Sequence, residues 1–218
     1  LRLQPECTDK VSFAVPTGNF GDILAGYYAR RMGLPIEKLV IETNANDILT
    51  RSHSTGRYKL ADLVIPTISP SMDIQVASNF ERFLFEATME KRDYELVKTL
   101  MKELQSTGGF EIPKDIMGHF AEVFDAHAVH EEQEITELIR KYHVDPHTAI
   151  GIAAGRKYWK AGVDMVVLST AHPSKFPEAI RKAGIAIPEH PSISVLPKGR
   201  KVIVDMPKGS QDVLKFFS

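Results

Sequence analysis

The turn Thr17-Gly-Asn-Phe-Gly-Asp22 combines two glycines with three short polar side chains. It stands directly before Ile23-Leu-Ala-Gly-Tyr-Tyr-Ala-Arg-Arg31, whose apolar residues return with helical spacing, and directly after the apolar run Val11–Val15 and Pro16. The order is therefore buried strand, turn, helix. At a helix entrance the first backbone N–H groups lack partners and the dipole is positive, so a phosphate is a natural guest. The turn has no lysine in the position of a P-loop, and it lacks the third glycine and the acidic strand end of a dinucleotide fingerprint. Residue types alone leave two readings, an anion cradle or a plain tight turn.

Three other clusters carry groups that could do chemistry. Ser71, Asp73, Asn79 and Arg82 fall within 12 positions. The Arg82 guanidinium can grip a phosphate or carboxylate with two parallel bonds, or it can lie on a solvated helix start capped by Ser78. Thr170 and His172, in Ser169-Thr-Ala-His-Pro-Ser-Lys-Phe176, place a hydroxyl and an imidazole at a strand end. They can face a ligand or cap the next helix. His127 and His130, near Glu131, Glu132 and Glu134, have a metal-ligand spacing, but a polar helix end explains them as simply. No Ser-His-Asp or Cys-His arrangement can be built from the spacing.

These groups need a scaffold, and the pattern supplies one. Val11–Val15 and Lys38–Glu42 flank the helix over 22–32, a strand–helix–strand unit with parallel strands. The polar loop Thr43–Asp47 leaves the second strand at the edge where parallel sheets bind ligands. Leu63–Ile65 reads as a third short strand. From 75 to 140 the chain reads as helical and without strands, with stripes such as Phe80, Phe83, Leu84 and Ala87, and further helices over 113–123 and 131–142. Asp145 and Pro146 are a good cap and first residue for another helix. Its small residues Gly151, Ala153, Ala154 and Gly155 permit close packing on a sheet or ligand. Val163–Ser169 and Lys201–Asp205 read as strands, and Gln211–Phe217 as a last helix. The pattern predicts an α/β fold with a largely parallel sheet, divided as 1–74, a helical block 75–144, and 145–218.

The totals bound the rest. The chain has 218 residues, 43% apolar and 25% charged, with a formal net charge of −1. That balance favours neither nucleic acid nor an anionic membrane, so any anion site must be local. The single cysteine, Cys7, allows no internal disulfide and no thiolate metal cluster, which favours a reducing, cytoplasmic setting. No apolar run reaches the roughly 18–20 residues of a membrane span. Oligomeric state is not written in the sequence.

Six segments occur in the order found in threonine synthases of the fungal and proteobacterial type. They are Pro16-Thr-Gly-Asn-Phe-Gly-Asp22, Thr43-Asn-Ala-Asn-Asp-Ile-Leu-Thr-Arg51, Pro70-Ser-Met-Asp-Ile74, Ser78-Asn-Phe-Glu-Arg82, Asp145-Pro-His-Thr-Ala-Ile-Gly151 and Ser169-Thr-Ala-His-Pro-Ser-Lys-Phe-Pro177. The chain thus resembles that family, most closely its C-terminal part. The resemblance implies the pyridoxal-phosphate fold type II, similar to the tryptophan synthase β chain, and conversion of O-phospho-L-homoserine and water to L-threonine and phosphate. It implies that Gly18, Asn19, Phe20, Gly21 and Asp22 hold the cofactor phosphate and that Thr170 partners the pyridine nitrogen. Ser71, Asp73, Asn79 and Arg82 would then face the substrate, with Arg82 taking the leaving phosphate. The family's Schiff-base lysine lies in a Ser-Phe-x-Phe-Lys-Asp motif, and no such motif occurs in these residues. Lys10, Lys59 and Lys175 lack its context. The expectation is a chain without that lysine, inactive by itself. The alternatives are a threonine-synthase-like paralogue or a non-catalytic cofactor- or phosphate-binding domain.

Overall fold

The computed structural model describes residues 10–88 and 91–195. They fall into two units divided after Pro188, and the first contains every element discussed below. In the second unit the described structure is one short helix, Pro191–Ser194. The expected strand Lys201–Asp205 and helix Gln211–Phe217 lie outside the described residues.

A four-stranded, all-parallel sheet organises the first unit, in the order β5-β2-β1-β6. Its strands are β1 (Val11–Pro16), β2 (Ile36–Thr43), β5 (Phe124–Ala128) and β6 (Asp164–Val167). Alternation along the strands gives each face its own cover. Val15, Leu39 and Ile41 look into the large core shared by α1 (Gly21–Arg31), α3 (Phe80–Ala87) and α5 (Lys114–Val123). Ala14 and Val40 look the other way, onto Ala154 of α7 (Pro146–Tyr158). The small residues of α7 are required there. A Cβ on Gly155 would lie 2.7 Å from Val167 Cγ2, and one on Gly151 would lie 3.0 Å from Pro16 Cγ. Asp145 caps α7 through the N–H groups of His147 and Thr148, as its position suggested.

The remaining elements are α2 (Ile48–Thr55), α4 (Tyr94–Thr107), α6 (Glu132–Tyr142), α8 (Pro177–Lys182) and a small antiparallel pair, β3 (Arg57–Lys59) with β4 (Gly109–Glu111). The core around α3 is aromatic. Phe83 is fully buried with its ring centroid 5.1–5.8 Å from those of Phe20, Tyr27, Phe80, Phe120 and Phe124. A second core joins α6, α7 and α8 around Ile139, Ile150 and Ile180 and reaches Met72 beneath the site.

Two expectations are overturned. The block 75–144 is not strandless: it supplies β4 and the edge strand β5, which pairs with β2 from Leu39↔Phe124 to Thr43↔Ala128. Phe124-Asp-Ala-His-Ala is short and half polar, so its strand character comes from the open edge of β2. Leu63–Ile65 is not a strand. Leu63 and Ile65 are exposed, and no edge meets them. Instead the Asn46 amide satisfies Ile65 at both ends, accepting its N–H at 2.8 Å and donating to its carbonyl at 2.8 Å.

Glu42, near the end of β2, is fully buried. One oxygen contacts His127 Nδ1 at 2.9 Å, and Oε2 has no partner among the described residues. Burial pushes its carboxyl well above the ordinary range; Lys157 opposes this and Glu134 adds to it. The folded protein thus holds a proton that the unfolded chain releases above its ordinary carboxylate pKa. Stability from this group is lost as pH rises from there toward the folded pKa, with a slope of at most about 1.4 kcal/mol per pH unit. His127 acts at the other end: burial lowers its pKa, with Lys157 and His130 adding to this, so stability falls as pH drops below the ordinary imidazole range. Glu42→Gln should remove the first dependence. In urea melts from pH 5 to 8 the variant should gain on the wild type as pH rises, and a constant difference would sink the prediction.

Candidate active site

The cradle forms where β1 ends and α1 begins. The Thr17 N–H donates to the Glu42 carbonyl at 2.7 Å, and its hydroxyl donates to the Val15 carbonyl at 2.6 Å, so Thr17 holds the strand end rather than a ligand. Phe20 takes a left-handed conformation, φ 67°, as the residue before α1, and no side chain caps the helix. The Gly21 N–H is taken by Asn19 Oδ1 at 2.9 Å. The N–H groups of Asp22 and Ile23 have no acceptor among the described residues. They are the orphan donors of a helix N-terminus, available to an anion.

Gly18 to Asp22 line one wall of a cavity of about 260 Å³. Ser71, Thr170, His147 and Lys175 line it with them. The cavity lies at the C-terminal edge of the parallel strands, where such sheets bind ligands. Phe20 is among its lining residues, and its ring packs edge-on against Phe80 with centroids 5.3 Å apart. The glycines are needed by close approach. A Cβ on Gly18 would stand 3.0 Å from the Ser71 carbonyl oxygen, and one on Gly21 would stand 3.0 Å from Asn19 Oδ1. A narrow, glycine-lined cradle with free N–H groups fits a phosphate. The Thr170 hydroxyl has no partner among the described residues, and Thr170 lines the same cavity, so the hydroxyl fits a ring nitrogen there.

The structure thus brings Gly18, Asn19, Phe20, Gly21, Asp22, Ser71 and Thr170 together. It places the other three expected residues elsewhere. Asp73 turns into the loop after β2: its Oδ1 accepts from Asn44 at 2.8 Å, Asn46 at 3.0 Å and the Thr67 hydroxyl at 2.7 Å, and its Oδ2 accepts the Thr67 N–H at 2.8 Å. Asn79 braces the cradle from behind, its Nδ2 and backbone N–H both donating to the Asn19 carbonyl, at 3.1 and 3.0 Å. Arg82 is exposed and borders a separate groove with Tyr28, Phe85 and Lys102. His172 accepts the Ser174 N–H at 3.2 Å and so caps the turn Pro173–Lys175. His127 is on β5 against Glu42, His130 is 3.1 Å from Asp47, and no group of three metal-ligating side chains converges among the described residues.

His147 and Lys175 line the cavity although the motifs do not single them out. His147 sits in the first turn of α7, where its motif reads as capping. Its ring is buried, with its centroid 4.5 Å from that of Phe176. Lys175 follows the Thr170 loop and adds a cation to the cavity wall.

Fold and site together define an α/β protein with a glycine-lined cavity at the C-terminal edge of a parallel sheet. A family model described as "Threonine synthase, C-terminal" matches residues 148–216. Threonine synthase from Pseudomonas aeruginosa is 46% identical over 190 residues, covering 83% of this chain and 40% of that protein. That from Saccharomyces cerevisiae is 42% identical over 195 residues, covering 80% of this chain and 38% of that one. The crystal structure of pyridoxal-phosphate-bound threonine synthase from Brucella melitensis is similar with a TM-score of 0.79 and 45% identity, over 87% of this chain and 41% of that one. The chain belongs to the threonine synthase family, and it spans about 40% of the length of these relatives. Its fold is the parallel-sheet architecture of fold type II.

Proposed function

We propose that these residues carry one side of a threonine synthase active site, converting O-phospho-L-homoserine and water to L-threonine and phosphate with pyridoxal phosphate in the cavity. The observation that carries the proposal is the pairing, in one cavity, of a glycine-lined cradle with free helix N–H groups and a free hydroxyl on Thr170. When bound, the cofactor supplies an electron sink for charge developing on the substrate carbons.

The protein's own groups bind and orient. The N–H groups of Asp22 and Ile23 hold the cofactor phosphate, and the dipole of α1 adds to their field. The Thr170 hydroxyl donates to the ring nitrogen, which needs a neutral donor rather than a carboxylate. Ser71 lines the wall facing Gly18, and Lys175 contributes the counter-charge for phosphate in the cavity. That role moves to Lys175 because Arg82 borders another groove. Asp73 and Asn79 serve the site indirectly, by fixing the loop 67–73 and the Asn19 carbonyl. No helix among the described residues is long and apolar enough to cross a membrane.

The test uses the whole gene product. It should bind pyridoxal phosphate and release inorganic phosphate from O-phospho-L-homoserine with matching threonine formation. Binding of the cofactor without threonine formation would leave a cofactor-binding paralogue in place of this reading.

A further inference from the structure

We infer that Asp145 is a positioning residue for both walls of the cavity, acting on one through His147 and on the other through Thr148. The inference rests on the cavity being a pyridoxal-phosphate site and deepens that reading. The Asp145 side chain is fully buried at the start of α7 and does not line the cavity. Its Oδ1 accepts from His147 Nδ1 at 3.0 Å and from the His147 N–H at 2.9 Å, and its Oδ2 accepts the Thr148 hydroxyl in a short bond. A helix cap requires only the backbone contacts. The two side-chain bonds go further, because each partner reaches on to a wall.

His147 Nε2 lies 3.3 Å from the Ser71 backbone nitrogen. A backbone N–H can only donate, so Nε2 accepts and the ring proton sits on Nδ1, facing Asp145. The same turn, Pro70–Met72, closes over Gly18, with the Ser71 carbonyl 3.0 Å from where a Gly18 Cβ would stand. His147 therefore sets how far that turn stands from the cradle. On the other side, Thr148 gives its hydroxyl proton to Asp145 and keeps a lone pair for the Thr170 N–H at 3.4 Å. One carboxylate thus fixes the donor and acceptor sense of both side chains. Burial would raise the Asp145 pKa, but hydrogen bonds from His147 and Thr148 outweigh it and hold the group below its ordinary value. The acceptor is thereby kept ionised.

The experiment measures pyridoxal-phosphate affinity and melting temperature on the whole gene product. His147→Asn keeps a polar group near Asp145 but is too short for Ser71, whereas His147→Gln carries an acceptor toward Ser71. Thr148→Val deletes the hydroxyl, and Thr148→Ser keeps it. The Asn and Val variants should bind about 10-fold or more weaker, while Gln and Ser should stay within about 3-fold, on the scale of the roughly 10–100-fold loss seen when the hydrogen-bond partners of metal ligands are removed. In an Asp145→Asn background, Thr148→Val should add less than about 3-fold, because the carboxylate is gone and one amide oxygen cannot serve both His147 and Thr148. If Asp145→Asn does not fold, the two matched pairs decide. A merely structural role would lower melting temperature without sorting affinity by acceptor and hydroxyl. Equal affinity within either pair overturns the inference with the functional reading intact, and a wild type that does not bind pyridoxal phosphate overturns the functional reading itself.

Discussion

Phe83→Ala should lower the unfolding free energy by about 3–5 kcal/mol, the range for deleting a fully buried phenyl ring. Phe83 is 0% exposed and sits among five other aromatic side chains, Phe80 of its own helix and two each from the stretches 20–27 and 120–124. Rings held at these separations pack rigidly, so the hole left by alanine fills poorly. Phe20 is one of the five, and its backbone is the cradle. The variant should therefore lose ligand affinity along with stability, although Phe83 does not line the cavity. Equilibrium urea unfolding measures the effect, and a loss below about 1 kcal/mol would contradict the packing argument.

Gly18→Val should cost about 1–3 kcal/mol of binding, roughly 10–100-fold in pyridoxal-phosphate affinity, by overpacking the cradle. The atoms it meets, the Ser71 carbonyl oxygen at 3.0 Å and Met72 Cα at 3.4 Å from the first added carbon, are backbone. That backbone cannot retreat freely. His147 holds Ser71, and Asp73 anchors the end of the turn through Asn44, Asn46 and Thr67. Gly118→Ala is the control: no atom lies within 4 Å of the added methyl, and the site is inside α5. That change should leave affinity alone and add about 0.5–1 kcal/mol of stability by lowering the entropy of the unfolded chain. Equal affinities for the two variants would falsify the close-approach account of Gly18.

Much of the scaffold was legible because it is written locally. β1, α1, β2 and α7 each carry their own period and their own terminator, such as Pro16, Gly33 and the Asp145-Pro cap. The cradle was legible for the same reason, since a turn between a strand and a helix is contiguous in sequence. β5 was not. Its five residues alternate weakly, and only the open edge of β2 makes them a strand. Leu63–Ile65 failed in the opposite sense: it has the composition of a strand but no edge to join.

Within the site, residue types and the order of the motifs mark which residues could bind an anion and place them in a family. Tertiary structure decided which of them meet. Phe20 both lines the cavity and packs its ring into the core, a double role visible only once Phe80 and Phe83 are packed against it. Arg82 shares a motif with Asn79, yet the exposed side of α3 carries it to another groove. Asp73 is claimed by Asn44, Asn46 and Thr67, and Lys175 arrives from a different strand end. Asp145 shows the limit most clearly. Its role as a cap follows from its neighbours in sequence, while its reach to Ser71 and Thr170 spans 74 and 25 positions along the chain. Contacts of that kind are set by packing α7 against the sheet, and residue spacing carries no record of them.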